Sequence, residues 1–141
     1  MGLTIRALKE AEDFVDSSYH GFNSVRERFF DYVRTKVYKE LETLDKYEGF
    51  DMPSFISYKE LPSFIPFYEL INHSDCDGEL TFSDCLNLEE DFKEHGEKLL
   101  LFIKESNESD ESKEFMVEWI EMFESMVNDV AREKYHSLIF V

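Results

Sequence analysis

His73-Ser74-Asp75-Cys76-Asp77-Gly78-Glu79-Leu80-Thr81-Phe82-Ser83-Asp84 is the stretch whose reading decides the fold. Carboxylates alternate with other residues around Gly78, which is how a chain bends sharply while presenting oxygen atoms to the inside of the bend. Upstream, Ser63 can cap a short helix over 65–72 that turns Phe67, Leu70 and Ile71 inward and tolerates Pro66 in its first turn. Downstream, Thr81 or Ser83 caps a helix carrying Leu86, Leu88 and Phe92, bent near Gly96 before Leu99-Leu100-Leu101-Phe102-Ile103 continues the apolar pattern. The stretch therefore joins two core helices, and the chain reads as mainly α.

The same class follows on either side. Ser24-Val25-Arg26-Glu27 has the form of a capping box, and Val25, Phe29, Val33, Val37, Leu41 and Leu44 recur at intervals of four and three. That spacing predicts a helix over 25–45, with Arg26, Arg28, Lys36 and Lys39 on its solvated side. Met116, Trp119, Ile120, Phe123, Met126, Val127, Val130 and Ala131 predict a second long helix over 112–133, after the polar loop Asn107-Glu108-Ser109-Asp110-Glu111-Ser112. Ala11, Phe14 and Val15 suit one face of a short helix. Leu3-Thr4-Ile5-Arg6 and Ser137-Leu138-Ile139-Phe140-Val141 suit strands that pair as a small two-stranded sheet formed by the termini. With no repeat and no linker, residues 1–141 are expected to form a single-domain helical bundle.

Composition narrows the function. The chain has 15 basic and 32 acidic residues, a net charge of −17, yet 43% of it is hydrophobic and 14 residues are Phe. That much aromatic surface must be buried, so a wholly disordered acidic chain is excluded. Direct contact with nucleic acid or an anionic membrane is disfavoured because phosphates require cations. The N-terminus lacks the apolar run of a secretory signal and no apolar run is long enough to span a bilayer, so a cytoplasmic protein is expected.

Aligned on Gly78, the opening stretch resembles an EF-hand loop, with His73 first, Asp75 third, Asp77 fifth, Gly78 sixth, Leu80 eighth, Thr81 ninth and Asp84 twelfth. The resemblance implies a candidate ligand set of His73, Asp75, Asp77, Thr81, Asp84 and the carbonyl of Glu79 for calcium or another divalent cation, held weakly. His73 replaces the usual Asp, and Asp84 is shorter than the usual Glu. The competing reading is a turn and helix cap without metal. His73, Cys76 and Cys85, with His95 one helix away, also offer softer ligands, but their spacing matches no zinc pattern. No phosphate loop, nucleophile elbow or His-Glu-x-x-His motif is present, and the expectation is that the protein is not an enzyme.

His73-Ser74-Asp75-Cys76-Asp77-Gly78-Glu79-Leu80 followed by Asp84-Cys85 also resembles the core of a group of small bacterial proteins of unknown function, and Tyr19-His20-Gly21-Phe22-Asn23-Ser24-Val25-Arg26 is similar to that group's lead into its first helix. The resemblance covers residues 19–95 and implies no activity. The expected function is that of a small acidic binding or inhibitory protein of bacterial or phage type, engaging a basic, nucleic-acid-binding protein partner by charge mimicry. A divalent-cation-binding regulatory module is the alternative.

Overall fold

The computed structural model describes residues 2–7, 14–37, 65–72, 78–132 and 137–140. Among them the chain is mainly helical, with a small antiparallel sheet at one side. Strands β1 (Gly2–Ala7) and β2 (Phe14–Ser18) lead into helix α1 (Tyr19–Tyr32) and a π-helical continuation, Val33–Val37. The one-turn helix α2 (Tyr68–Ile71), strand β3 (Gly78–Leu80), the long helices α3 (Phe82–Lys104) and α4 (Asp110–Ala131) and strand β4 (Leu138–Phe140) follow.

The termini pair as expected, with Ile5 opposite Phe140, Arg6 opposite Ile139 and Ala7 opposite Leu138. The sheet is larger than two strands, however, in the order β2-β1-β4-β3. Phe14 and Val15, expected on a helix, lie in β2 opposite Arg6 and Ile5; Ala11 lies outside the described residues. Residue types with strand propensity gain a ladder of backbone hydrogen bonds beside an existing strand, which outweighs an isolated helical turn. Ile5, Leu80 and Leu138 carry the sheet into the core, each almost wholly buried.

Helix α1 begins at Tyr19, so Ser24 lies inside the helix and is not its cap. The extra turn is held by Phe22, fully buried with its ring 5.9 Å from that of Trp119 in α4. The stripe Val25, Phe29, Val33 and Val37 is buried as its spacing requires, while Leu41 and Leu44 lie outside the described residues. Arg26, expected on the solvated side, is instead only 3% exposed. Its guanidinium bonds the Asn23 side chain and stands 5.3 Å from the centre of the Phe22 ring, which offsets much of the cost of its burial. Beyond Tyr32 the helix widens to π geometry where Thr35 Oγ1 donates to the carbonyl of Asp31, 2.7 Å away, and so competes for the acceptor of the α-helical ladder.

Helices α3 and α4 form an antiparallel hairpin that is the largest packing unit. Cys85, Leu88, Phe92, His95, Leu99 and Ile103 line the inner face of α3, and Met116, Trp119, Ile120, Phe123, Met126, Val127 and Val130 that of α4. Helix α3 runs without interruption through Gly96, where a bend was expected; the glycine lies buried against Phe92 and Glu124. Ser109 caps α4 by accepting from the Ser112 amide, and Asp110 and Glu111 follow in its first turn, where the helix dipole favours negative charge. Between the helices, Ser106 Oγ and Lys113 Nζ donate to the carbonyls of Ile103 and Lys104, satisfying the open C-terminus of α3. No described helix is long and apolar enough to cross a membrane.

Candidate functional site

Of the ligand set expected in the turn, His73, Asp75 and Asp77 lie outside the described residues, and Glu79, Thr81 and Asp84 fall in its exit half. Thr81 is the N-cap of α3: its Oγ1 accepts from the Asp84 amide at 3.2 Å, and Asp84 Oδ2 accepts in return from the Thr81 amide at 3.0 Å. This reciprocal box satisfies two otherwise open donors. Glu79 accepts from Ser137 Oγ at 3.0 Å, tying the turn to the segment before β4. Leu80, the eighth residue of the loop, does pair across a strand, but its partner is Leu138 of the chain's own C-terminal strand. Cys85 is a free, buried thiol facing the Leu80 carbonyl, and burial pushes it up to about 12, leaving it unreactive. Cys76 lies outside the described residues.

The polar chemistry that sequence reasoning missed sits on the inner face of α3. Pro66 is followed by Phe67 in the left-handed region, at φ 62° and ψ 20°, a conformation that fits a type II turn but ordinarily takes glycine. The helix expected over 65–72 therefore starts only at Tyr68. Phe67 is held there by its surroundings. Its ring is fully buried 4.9 Å from Phe29, 5.1 Å from Phe92 and 6.2 Å from His95, and its amide donates to Asp91 Oδ2 at 2.9 Å. Strain of about 1–3 kcal/mol at such a residue persists only when neighbours over-determine it. Burial pushes the Asp91 carboxyl up to about 7; the Phe67 amide pulls the other way, and the charges of Glu69, Glu94 and Glu90 add to the rise.

One turn further along α3, His95 is buried, and its Nδ1 lies 2.9 Å from the hydroxyl of Tyr32 in α1. The two rings meet edge to face at 5.7 Å. This pair forms the inner wall of a half-open cavity of about 310 Å³ between the end of α1, its π-helical continuation and the C-terminal half of α3. The spacing of Asp91 and His95, four apart on an otherwise apolar face, was the available sequence signal. Tyr32 lay 63 residues away and carried none.

Charge is segregated over the described surface. On α4, Asp110, Glu111, Glu114, Glu118, Glu121, Glu124 and Asp129 stand against Lys113 alone, whereas α3 sets exposed Glu90, Glu94 and Glu97 against exposed Lys93, Lys98 and Lys104. Across residues 19–37, by contrast, Arg28, Arg34 and Lys36 outnumber Glu27 and Asp31 on the surface. Arg28 pairs with Asp31 at 3.1 Å and reaches Glu108 in the hairpin connection at 3.9 Å. Two large apolar side chains, Phe115 (40% exposed) and Met122 (45%), stand out from α4 among the carboxylates. Among the described residues no group of His, Cys, Asp and Glu is arranged to hold a metal ion. Comparison of the chain with family models, curated proteins and solved structures finds no match.

Proposed function

We propose that the protein is a non-enzymatic binding protein whose acidic helix α4 engages a basic protein partner in a groove that otherwise holds nucleic-acid phosphates. The observation that carries this reading is the exposed row Glu111, Glu114, Glu118 and Glu121 on α4. At 1.5 Å per residue the row spans about 15 Å, which is roughly two-thirds of the axial charge density of one DNA strand. Phe115 and Met122 beside the row offer the apolar contact that interface centres are enriched in. The resemblance of residues 19–95 to small bacterial proteins is compatible with this role and adds no activity to it.

Cross-linking of the full chain in a bacterial extract, followed by reconstitution with the captured partner, tests the reading. The expected partner is a basic nucleic-acid-binding protein that duplex DNA displaces, whose affinity falls steeply with salt and which is lost with the variant Glu114→Gln/Glu118→Gln/Glu121→Gln. A reconstituted complex indifferent to salt and to DNA, or equally tight with the triple variant, overturns it.

The alternative, a divalent-cation-dependent regulatory module, rests on the exit half of the turn, where Leu80 makes a short strand and Thr81 with Asp84 opens the following helix as in an EF-hand. It is the weaker reading because the described side chains of that set already have protein partners.

A further inference from the structure

The cavity beside His95 has a composition unlike the rest of the surface. Its apolar lining is Val37, Leu101 and Phe102; its buried end is the Tyr32–His95 pair; its exposed polar lining is Lys36, Lys98 and Glu105. The register of the helices explains the grouping. His95, Lys98, Phe102 and Glu105 recur at three and four along α3, and Tyr32 and Lys36 lie four apart as α1 passes into its π-helical continuation. A π segment displaces the residues that follow it from α-helical register and is frequent where a chain builds a site.

Three features point to an occupant. Lys36 and Lys98 are exposed cations with no ion pair among the described residues, although acidic residues outnumber basic ones two to one in this chain. Leu101 is the most exposed large apolar residue described, at 55%, and it stands at the cavity rather than on a featureless surface. The volume, about 310 Å³, is at the lower end of the roughly 300–1,000 Å³ typical of small-molecule pockets.

We infer that this cavity binds a small aromatic monocarboxylate. The carboxylate would lie between the ammonium groups of Lys36 and Lys98, and the ring would enter against Phe102, Val37 and the edge of the Tyr32–His95 pair, whose aromatic faces suit a flat guest. Among the described lining residues two lysines stand against one glutamate, an excess of positive charge that suits a monoanion. Glu105 repels the second charge of a dianion such as phosphate. The site is separate from the acidic row on α4, so it stands whether or not the partner proposed above is found.

The probe is 1-naphthoate, titrated into the full ¹⁵N-labelled chain and followed by amide shifts and calorimetry. Saturable shifts should map to residues 32–37 and 95–105, and both naphthalene-1-methanol, the neutral analogue, and inorganic phosphate should bind at least about tenfold more weakly. Both lysines are exposed, so Lys36→Met/Lys98→Met keeps the fold and should weaken naphthoate by about tenfold while leaving the neutral analogue unchanged. Glu105→Gln should tighten naphthoate binding. The assignment is overturned if millimolar naphthoate leaves these amides unmoved, if the double methionine variant binds it as well as the parent, or if Glu105→Gln weakens it.

Discussion

Replacing Asp91 by asparagine should stabilise the protein, and by more at alkaline pH than in mild acid. Asp91 is the group whose burial most clearly opposes its charge, with its carboxyl raised from 3.8 to about 7 while it accepts the Phe67 amide at 2.9 Å. A carboxyl raised in the folded state contributes stability that is fully present below its unfolded value, near 4, and is lost progressively as pH rises from there through about 7. Three units correspond to at most about 4 kcal/mol, and because the group is only partly buried, solvent screening reduces this to about 1–2 kcal/mol. Asparagine keeps an oxygen for the Phe67 amide and cannot ionise, so it removes this loss alone. The melting temperature of the variant should exceed that of the parent by about 3–6 °C at pH 8.5 and by about half as much at about pH 5.5, midway through the loss, a range that avoids precipitation near the isoelectric point. Thermal melts by circular dichroism across that range give the difference directly. Asp91→Ala serves as the contrast: it leaves the buried Phe67 amide without its acceptor and should cost about 1–3 kcal/mol relative to Asp91→Asn at both pH values. Parallel pH profiles for parent and Asp91→Asn would refute the reasoning.

Thr81→Ala removes one half of the capping box and should cost about 1 kcal/mol in urea unfolding, with the loss confined to stability; no change would mean that the Asp84 side chain alone suffices. Gly96→Ala should stabilise by about 0.5–1 kcal/mol, because a Cβ there meets Glu124 Oε1 at 3.7 Å and Phe92 Cδ1 at 3.8 Å, which are ordinary contacts, and the helix gains from losing a glycine; a loss of stability would show that the α3–α4 packing tolerates no added methyl. Exchanging chelator for calcium, magnesium, manganese or zinc should leave the melting temperature unchanged. A rise of several degrees that Asp77→Ala abolishes would reassign the turn as a cation site.

The long helices were legible because a buried stripe in an amphipathic helix repeats every three or four residues, and α4 shows this over its whole length from Met116 to Val130. The start of α3 was legible for a different reason: a threonine cap such as Thr81 is a local device that needs no partner elsewhere. Strand β2 was not legible, since Phe14 and Val15 become a strand through pairing with β1, and the apolar spacing alone suits a helix as well. Arg26 misled for the same kind of reason. A lone arginine in a helical pattern reads as solvated, and the approach of Phe22 and Asn23 helps to make its burial tolerable. The cavity and its Tyr32–His95 wall depend on two helices brought together from 63 residues apart, and no local pattern encodes that meeting.

The acidic row on α4 costs the isolated protein something, and that cost separates a binding face from a merely solubilising one. Like charges three and four apart on a helix destabilise by about 0.2–0.5 kcal/mol per pair. Glu111, Glu114, Glu118 and Glu121 make three such pairs in succession, with Lys113 drawn away to the Lys104 carbonyl. Charge placed only for solubility can be dispersed, and α1 with its mixed residues shows a surface on which it is. Exposed Phe115 and Met122 also work against solubility, whereas at an interface both features are relieved on binding. Stability and binding should therefore move in opposite directions. Glu114→Gln/Glu118→Gln/Glu121→Gln should raise the stability of the free protein in low salt by about 0.5–1 kcal/mol, a gain that moderate salt removes from the comparison by screening the parent, while the same variant loses its basic partner. A triple variant no more stable than the parent in low salt would mean that the row is not strained, and the charge would then be explained by solubility alone.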